Sequence, residues 1–215
     1  MMSTPTPTLT TRPALRADEL LKRGLDLCAA ALILLIISPF LLALALVVAL
    51  DSPGSVIYRR RVMGRGGTQF DAFKLRTMYV DGDEILAARP DLRAEWLRDQ
   101  KLRADPRITR SGRWLRRLSL DEFPQFINVL RGEMSLVGPR MFAPVELARY
   151  GDHAAEILSV RPGITGLWQV SGRSDLSYGD RARLDLEYVR TRSFRLDLRL
   201  LALTVPAVFR GRGAY

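Results

Sequence analysis

Between Leu27 and Leu50 the sequence has 24 consecutive residues without a charge, and nearly all of them are apolar. A straight helix of that length extends about 36 Å, because each residue adds about 1.5 Å. The hydrocarbon core of a bilayer is roughly 30 Å thick. The run is therefore long enough to cross a membrane, and an ordinary transmembrane anchor is the simplest interpretation. It begins too late and is too long for a secretory signal peptide.

Ser38-Pro39 stands almost in the middle of this run. Proline has no amide hydrogen and its ring clashes with the preceding turn, so we predict a kink, with the Ser38 hydroxyl satisfying a carbonyl that the proline leaves free. Both flanks of the run are basic, with Lys22 and Arg23 before it and Arg59, Arg60, Arg61 and Arg65 after it. Because basic flanks favour the cytoplasmic side, a bent helix that enters and leaves through one leaflet explains both features. A straight span stays open as the alternative.

The start of the run and the residues before it complete the predicted organisation. Asp26 lies four residues after Lys22, which predicts a helical ion pair that offsets the cost of a carboxylate at the membrane entrance. The first twelve residues are rich in threonine and proline, which indicates disorder. We divide the chain into a disordered tail (1–16), a membrane hairpin broken at Ser38-Pro39 (17–52) and a globular domain (53–215).

Lysine and arginine number 33 against 23 aspartates and glutamates, a net charge of +10. Such an excess favours anionic partners, namely nucleic acid, acidic lipid headgroups or a phosphorylated substrate, and charge alone does not choose between them. The chain has one cysteine, Cys28, and one histidine, His153. These counts exclude an intrachain disulfide and any metal site built from several cysteines or histidines.

The globular part is predicted to be an α/β fold, mostly helical with a small β-hairpin. Residues 55–78 have the pattern of two extended segments around a Gly-Arg-Gly-Gly turn. Residues 81–104 have the pattern of a charged helical stretch interrupted by Pro90. Lys74 and Arg76 lie two apart on the second extended segment, so they share a face, either as a solvated edge or as phosphate contacts.

Two later segments each allow two interpretations. The glycine-rich stretch 161–175, which contains Trp168, Gln169 and Arg173, is either a packed connector or part of a ligand site. Residues 194–209 carry three charges and then turn apolar. They form either a buried element of the domain or an interfacial amphipathic helix whose basic flanks meet anionic lipid.

Asp121 and Glu122 stand side by side in the segment Ser-Leu-Asp-Glu. The spacing fits a capping box with Ser119 as the helix cap. Alternatively the helix begins later, with Pro124 in its first turn, where a proline is tolerated. Either register puts Asp121 near a helix N-terminus, which favours both a carboxylate and a phosphate.

The chain has no P-loop, no GxSxG elbow and no HExxH motif, which leaves carboxylates as the nucleophile class. An ionised aspartate can attack phosphorus and form an acyl phosphate if arginines and a divalent metal offset the phosphate charge. Mg²⁺ prefers oxygen ligands, which Asp121 and Glu122 can supply. Arg116 and Arg140 can then clamp the phosphates.

An ordered set of motifs resembles the bacterial sugar transferases, monotopic phosphoglycosyl transferases that act on polyprenyl phosphate. The motifs are KRGLDL before the apolar run with its Ser-Pro, FKLRTM, DPRITRSGRWLRRLSLDEFPQFINVLRGEMSLVGPR, RPGITGLWQVSGR and LDLRLLALTVPAVFRGRGAY. They cover nearly everything from about residue 20 to the end. One departure is Met141, where similar proteins usually have a second proline.

The resemblance implies a two-step transfer. Asp121 attacks the β-phosphate of a nucleotide diphosphate sugar and releases the nucleotide monophosphate, and the sugar phosphate then passes to undecaprenyl phosphate. It implies that Glu122 takes part in Mg²⁺ binding or in proton transfer. It also implies that Lys74, Arg116 and Arg140 contact the phosphates. Relatives with the same C-terminal motifs tend to use UDP-hexoses such as glucose or galactose, and Trp168, Gln169 and Arg173 would then help to bind the UDP-sugar.

The resemblance also implies a place in the cell. The break at Ser38-Pro39 makes the enzyme monotopic, on the cytoplasmic face of the bacterial inner membrane, as a single cytoplasmic domain of the short, catalytic-core form. Its expected partners are the UDP-sugar, undecaprenyl phosphate and membrane lipids, and nucleic acid is not expected. A homodimer is a further possibility that the resemblance leaves open. The expected role is to initiate exopolysaccharide assembly. A membrane-tethered basic binding module and a UDP-sugar hydrolase remain as alternatives.

Overall fold

The computed structural model describes residues 13–99, 102, 104–172 and 176–209. The helices are α1 (Pro13–Asp51), α2 (Gly82–Ala87), α3 (Pro90–Asp99), α4 (Arg110–Arg117), α5 (Gln125–Arg131), α6 (Ala154–Ile157), α7 (Leu167–Ser171), α8 (Tyr178–Thr191) and α9 (Phe194–Phe209). The strands are β1 (Ile57–Met63), β2 (Gln69–Leu75), β3 (Ser135–Val137) and β4 (Gly163–Thr165), and 3₁₀ turns span Arg65–Gly67, Leu120–Glu122 and Pro144–His153. The chain is thus mostly helical with small sheets, as the sequence predicts.

The predicted β-hairpin is confirmed. Strands β1 and β2 pair antiparallel, with Tyr58 opposite Lys74. The connecting turn places Gly66 and Gly67 at φ values of 71° and 80°, a left-handed conformation that glycine adopts without steric cost. The predicted helical stretch after the hairpin is also present as α2 and α3, and Pro90 is the first residue of α3, where its missing amide hydrogen costs nothing.

The glycine-rich stretch brings two backbones into direct contact. Strands β3 and β4 pair in parallel. A Cβ atom on Gly163 would lie 2.1 Å from the amide nitrogen of Gly138, and one on Gly166 would lie 2.2 Å from the Gly138 carbonyl oxygen. These glycines therefore pack β4 against the turn that follows β3, as the packed-connector interpretation of this stretch predicts.

Gly163→Ala is expected to lower the free energy of unfolding by about 3 kcal/mol, because the added methyl group must push two backbone segments apart. Denaturant unfolding of the detergent-solubilised protein measures the change. Gly179→Ala is the matched control, since the nearest atom to its Cβ position is 3.9 Å away. Equal stability of the two variants would contradict this account of the packing.

Helix α1 is continuous from Pro13 to Asp51, with Pro39 inside it, whereas the sequence predicts a break at Ser38-Pro39. The Ser38 hydroxyl donates a hydrogen bond of 3.0 Å to the Leu35 carbonyl oxygen, which is the acceptor that the missing Pro39 amide leaves free. This bond lets helical geometry persist across the proline. Of the predicted tail 1–16, residues 1–12 lie outside the described residues, and the helix begins at Pro13.

Both ends of α1 pack against the globular domain while its middle does not. Near the start, Ala30 is buried in the main hydrophobic core. Near the end, Leu44 and Val48 pack against Leu75 of β2 and Leu115 of α4. No side chain between Ala30 and Leu44 is buried. Within the segment from Ala17 to Asp51, an 18-residue window has a mean hydropathy of 3.0, so the helix is long and apolar enough to enter a membrane.

The predicted ion pair between Lys22 and Asp26 is wrong. The Lys22 ammonium instead donates to the Asp197 carboxylate of α9 at 2.6 Å. The Asp26 carboxylate accepts hydrogen bonds from the Leu136 amide at 2.9 Å and the Ser135 hydroxyl at 3.1 Å. Charged-group hydrogen bonds to buried partners are stronger than a helical surface pair, so both side chains tie α1 to β3 and α9.

Helix α9 combines the two interpretations of residues 194–209. Its Asp197 and Leu200 side chains are buried against the domain, while Leu198, Leu203 and Val205 remain exposed. One face of the helix is therefore part of the packed domain. The other presents apolar side chains to the surroundings.

Candidate active site

The acidic pair lies in the 3₁₀ turn between α4 and α5, and α5 begins only at Gln125, after Pro124. Ser119 has a left-handed backbone (φ 56°) and its side chain makes no capping hydrogen bond. The predicted capping box is therefore wrong. Pro124 has no amide hydrogen for a helix that starts at Ser119, so the regular helix starts beyond it and Asp121 stands outside it.

Lys74 joins the two carboxylates from the facing strand. Its ammonium group lies 2.5 Å from Glu122 Oε1 and 3.8 Å from Asp121 Oδ2. The Asp121 residue is only 7% exposed, whereas 35% of the Glu122 side chain is exposed. One cation thus holds two adjacent carboxylates together, with the aspartate as the buried member.

The environment separates the acidities of the two groups. Burial raises the pKa of Asp121 to about 6, against the opposing pull of Lys74 and with a further rise from Glu122. Burial would also raise the pKa of Glu122, but Lys74, Arg140 and Arg60 together bring that pKa below its usual value. Neighbouring carboxylates with separated pKa values can take separate chemical roles. Above about pH 6 Asp121 is an ionised, poorly solvated carboxylate, which suits a nucleophile.

Two predicted arginines approach the pair from different elements. Arg116 of α4 is among the cations that lower the pKa of Asp121, and Arg140 does the same for Glu122. The Arg140 backbone amide donates to Asp185 Oδ1 at 3.0 Å, so a buried carboxylate holds the turn that carries this arginine. The structure therefore brings Lys74, Arg116 and Arg140 to the acidic pair.

Arg76 lies elsewhere. Its guanidinium donates to the carbonyl oxygens of Val48 at 3.3 Å and Ser52 at 2.5 Å, and also to that of Pro53. These carbonyls are at the C-terminal end of α1, where a cation satisfies acceptors that the helix leaves unpaired. Arg76 thus ties the end of the apolar helix to the domain, and its guanidinium does not face the acidic pair.

Trp168 and Gln169 belong to α7, and no hydrogen bond in the described part of the chain joins them to the acidic pair. The Arg181 guanidinium lies 5.3 Å from the centre of the Trp168 ring. Burial first, and then the charge of Arg140, lower the pKa of Arg181. Trp168 Nε1 and Gln169 Oε1 are buried without a hydrogen-bond partner in the described part of the chain. Arg173 lies outside the described residues.

The sequence interpretation missed Arg60 and Glu146. Arg60 of β1 is half-buried between exposed Arg59 and Arg61, and strand alternation is the signal that would have singled it out. Nothing in the sequence marks Glu146, which accepts a 2.8 Å hydrogen bond from the Ala143 amide in a 3₁₀ turn.

The residues present suit Mg²⁺ as a partial ligand set. Mg²⁺ takes oxygen ligands and commonly combines one or two carboxylates with substrate phosphates and water. Asp121 and Glu122 supply the carboxylates, and the Lys74 ammonium already marks the space between them as a place for positive charge. In the described part of the chain no group of three or more acidic, histidine or cysteine side chains is placed to hold a metal ion.

Comparisons with known proteins agree on one family. Residues 17–211 match the profile of the bacterial sugar transferases. The exopolysaccharide production protein ExoY of Rhizobium meliloti is 46% identical, over 90% of this chain and 88% of that protein. The undecaprenyl-phosphate galactose phosphotransferase of Salmonella typhimurium is 44% identical, over 94% of this chain and 43% of that protein. The UDP-glucose:undecaprenyl-phosphate glucose-1-phosphate transferase of Caulobacter vibrioides is 40% identical, over 93% of this chain and 73% of that protein.

Proposed function

The chain belongs to the bacterial sugar transferase family, and on that basis we propose that it transfers a hexose 1-phosphate from a UDP-sugar to undecaprenyl phosphate and releases UMP. The observation that carries the proposal is the buried Asp121 carboxylate, held beside Glu122 by Lys74 with arginines on both sides. The names of the Salmonella and Caulobacter relatives support the lipid acceptor, and the Caulobacter name supports a UDP-sugar donor.

In the first step an Asp121 carboxylate oxygen attacks the β-phosphorus of the UDP-sugar. A bond forms between this oxygen and phosphorus, and the bond between the β-phosphorus and the bridging oxygen breaks. The electron pair of that bond leaves with UMP, and the sugar phosphate remains on Asp121 as an acyl phosphate. In the second step a phosphate oxygen of undecaprenyl phosphate attacks the same phosphorus and restores the carboxylate.

The remaining side chains compensate charge. An ionised carboxylate that approaches a diphosphate meets strong repulsion, and cations at the site reduce it. Lys74 and Arg116 act at Asp121, and Arg140 acts beside Glu122. Asp121 and Glu122 would hold Mg²⁺, which when bound neutralises part of the phosphate charge. No proton has to move for the first step to balance.

We further propose that α1 bends at Pro39 while it stays helical, so that it enters one leaflet and returns and the protein is monotopic on the cytoplasmic face of the bacterial inner membrane. Support comes from the packing of both ends of α1 on the same domain. Arg23 donates to the Val129 carbonyl oxygen at 2.9 Å, and Asp51 accepts from the Ser111 amide at 2.9 Å. A helix that crossed the bilayer would separate these two contacts by the full membrane thickness.

Cysteine labelling tests the topology in cells and in inverted membrane vesicles. In a Cys28→Ser background, Asp18→Cys and Ser55→Cys flank the apolar segment, and both positions are exposed. We expect a membrane-impermeant reagent to label both only from the cytoplasmic side. Leu42→Cys, within the apolar segment, is the control that should stay unlabelled. Labelling of the two flanks from opposite sides would contradict the one-leaflet proposal.

One assay separates the three classes of function. The purified chain is incubated with UDP-glucose or UDP-galactose and Mg²⁺, with and without undecaprenyl phosphate, and UMP is followed. A transferase gives sustained release only with the lipid and one equivalent or less without it. A hydrolase gives sustained release without lipid, and a binding module gives none. A panel of UDP-sugars in the same assay identifies the donor.

A further inference from the structure

Glu146 links two arginines that come from distant parts of the chain. Its Oε2 lies 3.3 Å from Arg60 Nη2 of β1, and its Oε1 lies 3.3 Å from Arg140 Nη1. The backbone holds the carboxylate in turn, because the Ala143 amide donates to Oε2 at 2.8 Å. Each oxygen of one carboxylate therefore fixes a different guanidinium.

Strand register places Arg60 on the catalytic side of the hairpin. Tyr58 pairs with Lys74 across β1 and β2, and side chains two apart on a strand share a face. Arg60 is therefore a diagonal neighbour of Lys74 on the same face, a separation that long side chains can bridge. Lys74 in turn lies 2.5 Å from Glu122, and Glu146 joins Arg140 to Arg60, so both guanidiniums lie on the Glu122 side of the acidic pair.

The two guanidiniums keep most of their donors available. An arginine has five N–H donors. In the described part of the chain, each of these guanidiniums has one hydrogen bond, the 3.3 Å bond to Glu146. The Arg60 and Arg140 side chains are 31% and 25% exposed, so a ligand can reach them. Within ion-pair distance the two positive charges share one carboxylate, because the nearby Glu122 is itself paired with Lys74.

A structural ion pair alone does not explain this arrangement. One carboxylate between two arginines neutralises half of their charge, and the guanidiniums repel each other. Burial, and then the closeness of Arg140, lower the pKa of Arg60, which reports that repulsion. A doubly charged ligand that accepts hydrogen bonds from both guanidiniums removes the imbalance, and phosphate oxygens match the planar fork of arginine.

We propose that Arg60 and Arg140, held as a pair by Glu146, bind the diphosphate of the nucleotide-sugar donor. Arg60 is then a substrate-binding residue and Glu146 a positioning residue. The proposal rests on the function proposed above and deepens it. The pair holds the diphosphate on the Glu122 side of the site, and Lys74 and Arg116 act on the Asp121 side.

The test measures binding of UDP and of uridine to the full-length chain by calorimetry. For Arg60→Gln we expect UDP binding to weaken about tenfold or more, because a charge-assisted contact is lost, with uridine binding unchanged. Arg61→Gln is the matched control. It removes the same charge from the next residue of β1, whose side chain points to the other face and pairs with Asp71. It should keep UDP binding within about twofold of the wild type.

Glu146→Gln tests the positioning role separately. It keeps both arginines but removes the charge that holds them, so we expect KM for the UDP-sugar to rise by about fivefold or more with a smaller change in kcat. Equal UDP affinity of the Arg60→Gln and Arg61→Gln variants would overturn the proposal. If Arg60→Gln does not fold, Arg60→Lys replaces it. Lysine keeps the charge but lacks the planar fork of the guanidinium, so wild-type UDP affinity in that variant would equally overturn the proposed contact.

The two proposals fail in distinguishable ways. If the wild-type chain releases no UMP with any UDP-sugar, the proposed function is wrong, whatever the UDP affinities. If the wild type turns over and Arg60→Gln loses no selectivity for UDP over uridine, the function stands and the arginine pair is wrong.

Discussion

Asp121→Asn is expected to reduce lipid-dependent UMP release by at least about a thousandfold, because an amide cannot replace a carboxylate as the attacking group. UDP binding should persist, since the surrounding cations remain. Radiolabelled UDP-sugar should transfer label to the wild-type chain in the absence of acceptor and not to the variant. Asp91→Asn, at an exposed position of α3, is the control that should retain activity. Full turnover in Asp121→Asn would exclude the covalent mechanism.

The same substitution should stabilise the fold at neutral pH. Burial raises the pKa of Asp121 to about 6 from an ordinary value of 3.8. A carboxyl whose pKa is higher in the folded state contributes stability below its unfolded pKa and loses it as pH rises through the folded pKa. The shift corresponds to about 3 kcal/mol at most. We therefore expect Asp121→Asn to unfold at a higher temperature than the wild type at pH 7.5, with a gap that narrows towards pH 4.

Thermal unfolding in detergent at both pH values measures this gap. The Asp91→Asn control should show no such pH-dependent gain. A lower unfolding temperature for Asp121→Asn at pH 7.5 would contradict the account of a destabilising, buried carboxylate kept for chemistry.

Lys74→Gln is expected to lower kcat/KM by about a hundredfold, because one ammonium group serves both carboxylates. It should also move the pH profile. In the wild type kcat/KM should fall about tenfold per pH unit below about pH 6, where Asp121 becomes protonated. Lys74 lowers the pKa of both Asp121 and Glu122, so its loss should shift that acid limb to higher pH.

Initial rates between pH 5 and pH 9 measure the shift. Arg61→Gln on the neighbouring strand serves as the control, and its acid limb should coincide with that of the wild type. An unchanged acid limb in Lys74→Gln would mean that the lysine does not act on the ionisation of Asp121.

Local patterns predicted much of the fold correctly. The Gly-Arg-Gly-Gly turn predicted the β-hairpin because glycine alone adopts its left-handed conformation easily. Pro90 was predicted to interrupt the helical stretch 81–104, and it is the first residue of α3, where a proline is tolerated. The Ser38 hydroxyl was predicted to satisfy a carbonyl freed by Pro39, and it bonds to the Leu35 carbonyl oxygen. Each of these rules involves residues within a few positions of one another.

Predictions of which side chains pair with each other failed when the true partner is distant in the chain. Lys22 was assigned to Asp26 because the two are one helical turn apart, yet its partner is Asp197. Lys74 and Arg76 were indistinguishable as two cations on one strand, yet Lys74 reaches Glu122 and Arg76 reaches Ser52. A short-range pattern cannot anticipate a contact between elements far apart in sequence.

The sequence by itself determined the class of molecule: an apolar segment of membrane length, a basic domain with one cysteine and one histidine, and an acidic pair as the nucleophile candidate. Ordered motifs were sufficient for the family, which the comparisons confirm. Only the tertiary structure decided which of the two carboxylates is buried and which lysine contacts both. It also decided that Glu146 forms ion pairs with Arg60 and Arg140. The reason is physical, because burial and charge proximity arise from packing between β1, β2 and the turns after α4 and β3, and no stretch of sequence encodes them alone.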